Sequence, residues 1–198
     1  MPTFPVIGIL GGIASGKSLV SQILESHGAE VFHADRVGHE ALSDAGIQKE
    51  IVRIFGQEIL DADGNIHRPR LAKLVFGDSP ERLRQLESVV HPFIIAKWHE
   101  FYRDAAGRHA EYVVLDAPLL LESGMKDLCD AILFIDTPLS RRQEFAARRG
   151  WPAEELAVRE RRQLPLEEKR AAATWILDNS GSRASLETQL RDFLKEGV

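Results

Sequence analysis

Five short stretches of the chain are built around apolar residues: Val6 to Leu10, Glu30 to His33, Tyr112 to Asp116, Ala131 to Asp136 and Trp175 to Leu177. Most lack the polar alternation of a half-exposed strand, so they read as strands buried on both faces. Between them the apolar positions change to helical spacing, as in Leu19, Val20, Ile23 and Leu24. Strands alternating with helices imply a doubly wound parallel sheet, with any ligand site at the strands' carboxyl ends.

Two segments interrupt this alternation. Residues 37–110 are mostly helical in pattern, with apolar positions at Ile47, Ile51, Ile54 and Phe55 and again at Leu83, Leu86, Val89, Val90, Phe93 and Ile94. His91-Pro92 is expected to break or kink that second run. Residues 141–170 contain Gly150 and Pro152, then a helix expected from Ala153 to Leu164, stopped by Pro165. The expected organisation is a core of residues 1–36, 111–140 and 171–198, a helical insertion at 37–110 and a lid at 141–170.

The turn after the first strand carries the clearest chemistry. Gly11-Gly12-Ile13-Ala14-Ser15-Gly16-Lys17-Ser18 matches G-x-x-x-x-G-K-[ST] between a buried strand and an amphipathic helix. Glycines let successive backbone N–H groups point into one concavity, and the following helix adds the positive end of its dipole. Lys17 would reach the β- and γ-phosphates, and the Ser18 hydroxyl would ligate Mg²⁺. Residues Gly11 to Ser18 therefore form a candidate nucleoside triphosphate site.

Composition narrows the class. With 44% hydrophobic and 28% charged residues the chain is an ordinary globular protein, not a disordered one. No apolar stretch approaches the ~18 residues of a membrane span, and no secretory leader is recognisable. The single cysteine, Cys129, allows no intrachain disulfide and reads as a core residue, so a cytoplasmic location is expected. A net charge of −5 argues against nucleic-acid binding. Residues 141–170 run against that balance: nine basic side chains face six acidic ones, a local charge of +3 that leaves −8 elsewhere.

Other residues have two readings each. Asp35 follows the second strand and would either accept a hydroxyl proton or cap the next helix. Asp116 closes the third strand where a carboxylate could hold Mg²⁺ or its water, or simply begin a turn. Asp61-Ala62-Asp63-Gly64-Asn65 superficially suggests a calcium loop, but Gly64 is misplaced and Ala72 stands where a bidentate Glu is needed, so it reads as a turn. One or two of the eight arginines in 141–170 would neutralise a transferring phosphoryl group, while Glu144/Arg148 and Glu155/Arg159 have the spacing of surface pairs. None of the seven histidines forms a convincing metal cluster with the cysteine.

Taken together, the glycine loop at 11–18, Ala34-Asp35, Gly64-x-x-x-Arg68 leading to Leu71 and Val75-Phe76, His91-Pro92, Pro118-Leu-Leu-Leu-Glu122, Arg162-Gln163-x-Pro165, Glu168-Lys169 and Asp178-Asn179-x-Gly181 resemble the dephospho-coenzyme A kinases over nearly the whole chain. The resemblance implies an α/β P-loop NTPase fold. It comprises a five-stranded parallel sheet flanked by helices, with a helical substrate-binding insertion and a helical lid. It implies transfer of the ATP γ-phosphate to the ribose 3′-hydroxyl of dephospho-coenzyme A, with Mg²⁺. The loop of Gly12, Ile13, Ala14, Ser15, Gly16, Lys17, Ser18 and Leu19 would hold ATP, Asp35 would be the catalytic base beside Lys17 and Arg148, Arg68 and His91 would lie in the acceptor-binding insertion with Asp35, and Ser18 and Asp116 would serve the metal. A monomer without nucleic-acid or membrane partners is expected. Four positions depart from the family pattern: His33 replaces an Asp, Ala14 a Gly, Thr174 an Asp, and Glu144 a phosphate-contacting arginine, leaving Arg141, Arg142 or Arg148 for that role.

Two other classes compete. A P-loop kinase acting on a nucleotide or nucleoside would share the loop. A GTPase switch would need D-x-x-G after the third strand, where Asp116 is followed by Ala117-Pro118-Leu119.

Overall fold

In a computed structural model, which describes residues 4–76, 80–108, 110–161 and 163–196, the five apolar runs form strands β1 (Val6–Gly11), β2 (Ala29–His33), β3 (Tyr112–Asp116), β4 (Ala131–Asp136) and β5 (Trp175–Asp178). All pair in parallel, in the order β2-β3-β1-β4-β5. The most apolar strand, β1, takes the centre, where all six of its residues are buried. Parallel pairing brings the carboxyl ends together on one edge, where Gly11, His33, Asp116, Asp136 and Asp178 finish their strands.

The intervening helices are α1 (Lys17–Ser26), α2 (Ala34–Ala41), α3 (Ala45–Phe55), α4 (Arg68–Val75), α5 (Pro80–Gly107), α6 (Leu139–Arg148), α7 (Ala153–Glu160), α8 (Leu166–Ala171) and α9 (Arg183–Glu196). The chain divides into two compact units, Met1–His33 with Tyr102–Val198, and Ala34–Phe101. In the sheet unit, Val20, Ile23 and Leu24 of α1 and Leu186, Leu190 and Phe193 of α9 pack on the apolar side chains of the central strands. Burial of that kind contributes about 1.5–3 kcal/mol per large side chain. Residues 141–170 group with this unit.

The helical unit has its own core, in which Ile51, Phe55, Ile59, Leu71 and Val75 meet. Asp44 starts α3 by accepting hydrogen bonds from the N–H groups of Gly46 and Ile47. The Asp61 segment is a turn, as its spacing indicated: Asp61 Oδ1 accepts from Asp63 N at 3.0 Å and Asn65 N at 2.9 Å, and Leu60 bridges to Ile66.

Two expectations are corrected. The helix does not break at His91-Pro92, since α5 continues through Pro92 from Pro80 to Gly107. A proline removes one intrahelical bond and fixes φ near its helical value, and the remaining bonds of a 28-residue helix, with Val89 and Val90 packed on the unit's core, carry it past that position. In the second case α7 stops at Glu160 instead of reaching Leu164. The Leu164 N–H is taken by Glu122 Oε1 at 3.0 Å, a bond that replaces helix continuation.

Candidate active site

The loop between β1 and α1 is shaped by Gly16 and anchored by its neighbour. Gly16 adopts φ 94°, ψ 18°, left-handed backbone that a side chain would strain, and a Cβ there would lie 2.9 Å from Asn179 Nδ2. That amide donates to Ser15 O at 2.9 Å, and Thr137 Oγ1 donates to the same carbonyl at 2.8 Å. Two buried side chains from the ends of β5 and β4 thus fix one peptide of the loop. Lys17 Nζ lies over the loop, donating to Gly12 O at 3.1 Å and more weakly to Gly11 O at 3.4 Å. Leu19 and Val20 donate back to Gly16 O, which starts α1.

Ala14 also has positive φ, 58°, and is buried. Its methyl packs with Ala146 of α6 and Leu156 of α7, flanked by Ile13, Phe145 and Trp151. This contact offsets the backbone cost of a non-glycine residue at that position, on the order of 1 kcal/mol.

Asp116 ends β3 in register with Ile9 of β1 and His33 of β2. Its Oδ2 lies 3.2 Å from His33 Nδ1. Ser18 is exposed in the first turn of α1. A hydroxyl and a carboxylate are the hard oxygen donors that suit Mg²⁺, which commonly keeps waters and substrate phosphates as its remaining ligands. Among the described residues no three His, Cys, Asp or Glu side chains gather into a metal site.

The basic segment resolves into distinct roles. Arg148 is exposed at the end of α6, its guanidinium 5.7 Å from the centre of the Phe145 ring. Arg141 lies 5.3 Å from the centre of the same ring and donates to Ser180 O at 3.0 Å. Arg159 pairs with Glu155 and covers Trp151 at 4.4 Å, while Arg170 pairs with Asp136. Arg142 is different: it is buried, donates through Nε to Thr137 O at 3.2 Å and pairs with Glu160. Arg162 lies outside the described residues. A cavity of about 480 Å³ opens here, lined by Gly12, Ile13, Glu160, Arg161, Gln163 and Leu166 among others.

The helical unit holds the remaining candidates. Asp35 is exposed as the second residue of α2, in the helix's first turn rather than at the capping position before it. Arg68 begins α4 and is exposed, donating weakly to His39 O at 3.4 Å. His91 is half-buried on α5.

Comparison with known proteins decides the family. A family model described as Dephospho-CoA kinase matches residues 5–185. The chain belongs to the dephospho-CoA kinase family. A curated dephospho-CoA kinase from Rhodopirellula baltica is 40% identical over 188 residues, covering 93% of this chain and 87% of the relative. A solved protein from Thermus thermophilus superposes with a TM-score of 0.85 at 39% identity, covering 99% of this chain and all of that one. The dephospho-CoA kinase of Campylobacter jejuni superposes with a TM-score of 0.69 at 27% identity over 96% of both chains. The parallel sheet with its glycine loop is the P-loop kinase fold, and a dephospho-CoA kinase is a phosphotransferase that takes ATP as co-substrate.

Several dephospho-CoA kinase motif positions have structural duties that their spacing did not reveal. Lys169 is wholly buried, its Nζ donating to Gln163 Oε1 at 2.8 Å and lying 3.6 Å from Glu122. Burial holds its pKa below the ordinary lysine value, with Glu122 opposing. Glu122, which is exposed, and half-buried Gln163 thus meet the buried Lys169 ammonium, joining the β3–β4 connection to α8. Thr174 accepts from Ile132 N at 2.8 Å and donates to Ile132 O at 3.1 Å, a double bond pattern that an ionised Asp could not make. Cys129, expected in the core, is half-buried and packed against Gly8, and burial pushes its thiol up to about 12. Glu168-Lys169 and Asp178-Asn179-x-Gly181 stood in the sequence as parts of the resemblance, but their spacing indicated no role for either side chain.

Proposed function

We propose that the chain transfers the γ-phosphate of ATP to the ribose 3′-hydroxyl of dephospho-coenzyme A, giving coenzyme A and ADP. The observation that carries this reading is the loop at 11–18, anchored through Ser15 O and topped by Lys17 Nζ on the Gly12 carbonyl. Gly12 to Leu19 wrap the triphosphate, and Lys17 moves from loop carbonyls to the β- and γ-phosphates. Asp35, exposed at the start of α2, orients the acceptor hydroxyl and takes its proton. Arg68 and His91 bind the acceptor within a helical insertion spanning 37–110. Arg148 meets charge on the transferring group from a lid spanning 141–170, with the sheet core made of 1–36, 111–140 and 171–198.

Ser18 and Asp116 would hold Mg²⁺, whose contribution when bound is to neutralise phosphate charge. His33, hydrogen-bonded to Asp116, orients that carboxylate. We place the enzyme in the cytoplasm as a monomer. The lone cysteine fits a reducing compartment, and among the described residues no helix is long and apolar enough to cross a membrane. A nucleotide or nucleoside acceptor is not favoured by the family match.

The test is mass-spectrometric detection of coenzyme A formed from dephospho-coenzyme A, ATP and Mg²⁺, beside a Lys17→Ala control. Product from the wild type and none from a folded control is expected. No product from the wild type at any enzyme concentration would overturn the proposal.

A further inference from the structure

Arginine is rarely buried without a partner, and Arg142 is 5% exposed at a place that core packing does not explain. A Cβ added to Gly12 would lie 3.0 Å from Arg142 Nη1 and 3.3 Å from its Cδ, so the guanidinium stem rests directly on the phosphate loop. Lys17 Nζ is bonded to the carbonyl of the same glycine. Two cations therefore converge on Gly12.

The carboxylate paired with Arg142 is an uneven partner. Its side chain is 28% exposed against 6% for Arg142, and it lines the 480 Å³ cavity that reaches Gly12 and Ile13. Glu160 is also the last residue of α7, where the helix dipole disfavours a negative charge. Helix stability thus gives no reason for a glutamate here, whereas the charges of Arg142 and buried Lys169 do.

We propose that Arg142 is a phosphate-binding residue of the nucleotide site and that Glu160 competes with the nucleotide's phosphates for it. The inference rests on reading Gly11 to Ser18 as a phosphate loop. Arg142 stays fixed through its Thr137 bond, which leaves Nη1 and Nη2 to exchange one anion for another. Glu160, at the cavity wall, yields its place to the incoming phosphate and turns toward solvent. The device sets a threshold: the buried cation is never left without an anion, and only a ligand that binds more strongly than the carboxylate enters. Arg142 then occupies the role that Glu144, on the exposed side of α6, does not fill.

The experiment measures binding of inorganic tripolyphosphate and of ATP, with adenosine as a control, by calorimetry without acceptor. Glu160→Gln is expected to tighten tripolyphosphate and ATP by about 3- to 10-fold, because a neutral amide competes less well for the guanidinium. Arg142→Met should weaken both by about 10- to 100-fold, the loss of a charge-assisted contact, with adenosine unchanged. In the double variant the tightening from Glu160→Gln should vanish. Weaker phosphate binding in Glu160→Gln, or tightening that persists without Arg142, would overturn the proposal. Should Arg142→Met fail to fold, Glu160→Gln alone still decides, since its side chain is partly exposed. Lys17→Ala tests the loop reading separately: unchanged tripolyphosphate binding there would remove the phosphate loop itself, whatever Glu160 does.

Discussion

His33 Nδ1 lies 3.2 Å from Asp116 Oδ2 because the two residues are register partners at the ends of β2 and β3. A histidine facing an aspartate at this edge supplies a hydrogen bond where a second carboxylate would repel. His33→Asp is expected to lower Tm by about 1–3 °C without metal, the cost of like charges directly across a strand pair, and Mg²⁺ should recover the loss. Melting curves with and without Mg²⁺ check this. A variant melting at the wild-type temperature in both conditions would show that the imidazole does nothing for Asp116.

Asp35 separates a proton acceptor from a first-turn helix residue. Asp35→Asn keeps the shape and removes a favourable charge at the start of α2, a helix-end effect of about 0.3–1 kcal/mol. As the base, its loss should lower turnover by about 10²- to 10⁴-fold with ATP affinity little changed. The low end is favoured where the transition state is loose and the hydroxyl barely deprotonated. Steady-state turnover beside the melting curve decides, and a folded variant within about threefold of wild type would end the base assignment.

Asn179 holds the loop by its buried bond to Ser15 O. Asn179→Ala takes away one of two donors to that carbonyl and leaves a gap beside Gly16. The expected cost is about 1–3 kcal/mol, or roughly 2–12 °C in Tm. ATP affinity should fall with it, because the glycine turn is no longer held in its left-handed conformation. Calorimetric ATP titration and a thermal melt would settle it, and normal affinity at lowered Tm would make the residue a stability element alone.

Lys169 gives stability a pH dependence. Burial lowers its folded pKa below the unfolded 10.5, Glu122 acting against the shift. Between the lowered value and 10.5 the unfolded chain binds more protons than the folded one, so this residue's contribution grows as pH rises through that window. Lys169→Met cannot titrate. The stability difference between wild type and variant should therefore move in favour of wild type as pH increases, read from denaturant midpoints between about pH 7 and pH 10. A difference that stays flat across that range would contradict the burial argument.

Where local pattern carries the information, the chain was legible from its residues. The five strands, the parallel arrangement and the glycine loop follow from apolar runs, helical spacing and a contiguous eight-residue motif, all decided by neighbours in sequence. The loop's cradle for phosphate needed no more than glycines, a lysine and a helix start. Failures of that reading came where a distant group intervened: Glu122 ends α7 by taking the Leu164 N–H, and packing carries α5 across Pro92. Tertiary structure alone decided which polar residues share a site. Ser15 meets Thr137 across 122 positions and Asn179 across 164, and among the basic residues of 141–170 only the fold tells surface Arg148 from Arg142, buried on Gly12. Spacing gives Arg148 a surface partner in Glu144, but nothing in it marks Arg142 as buried. Their difference is made by the turn that follows β4, which aims one face of the helix at the loop and the other at water, a direction set by packing and by no residue's own propensity.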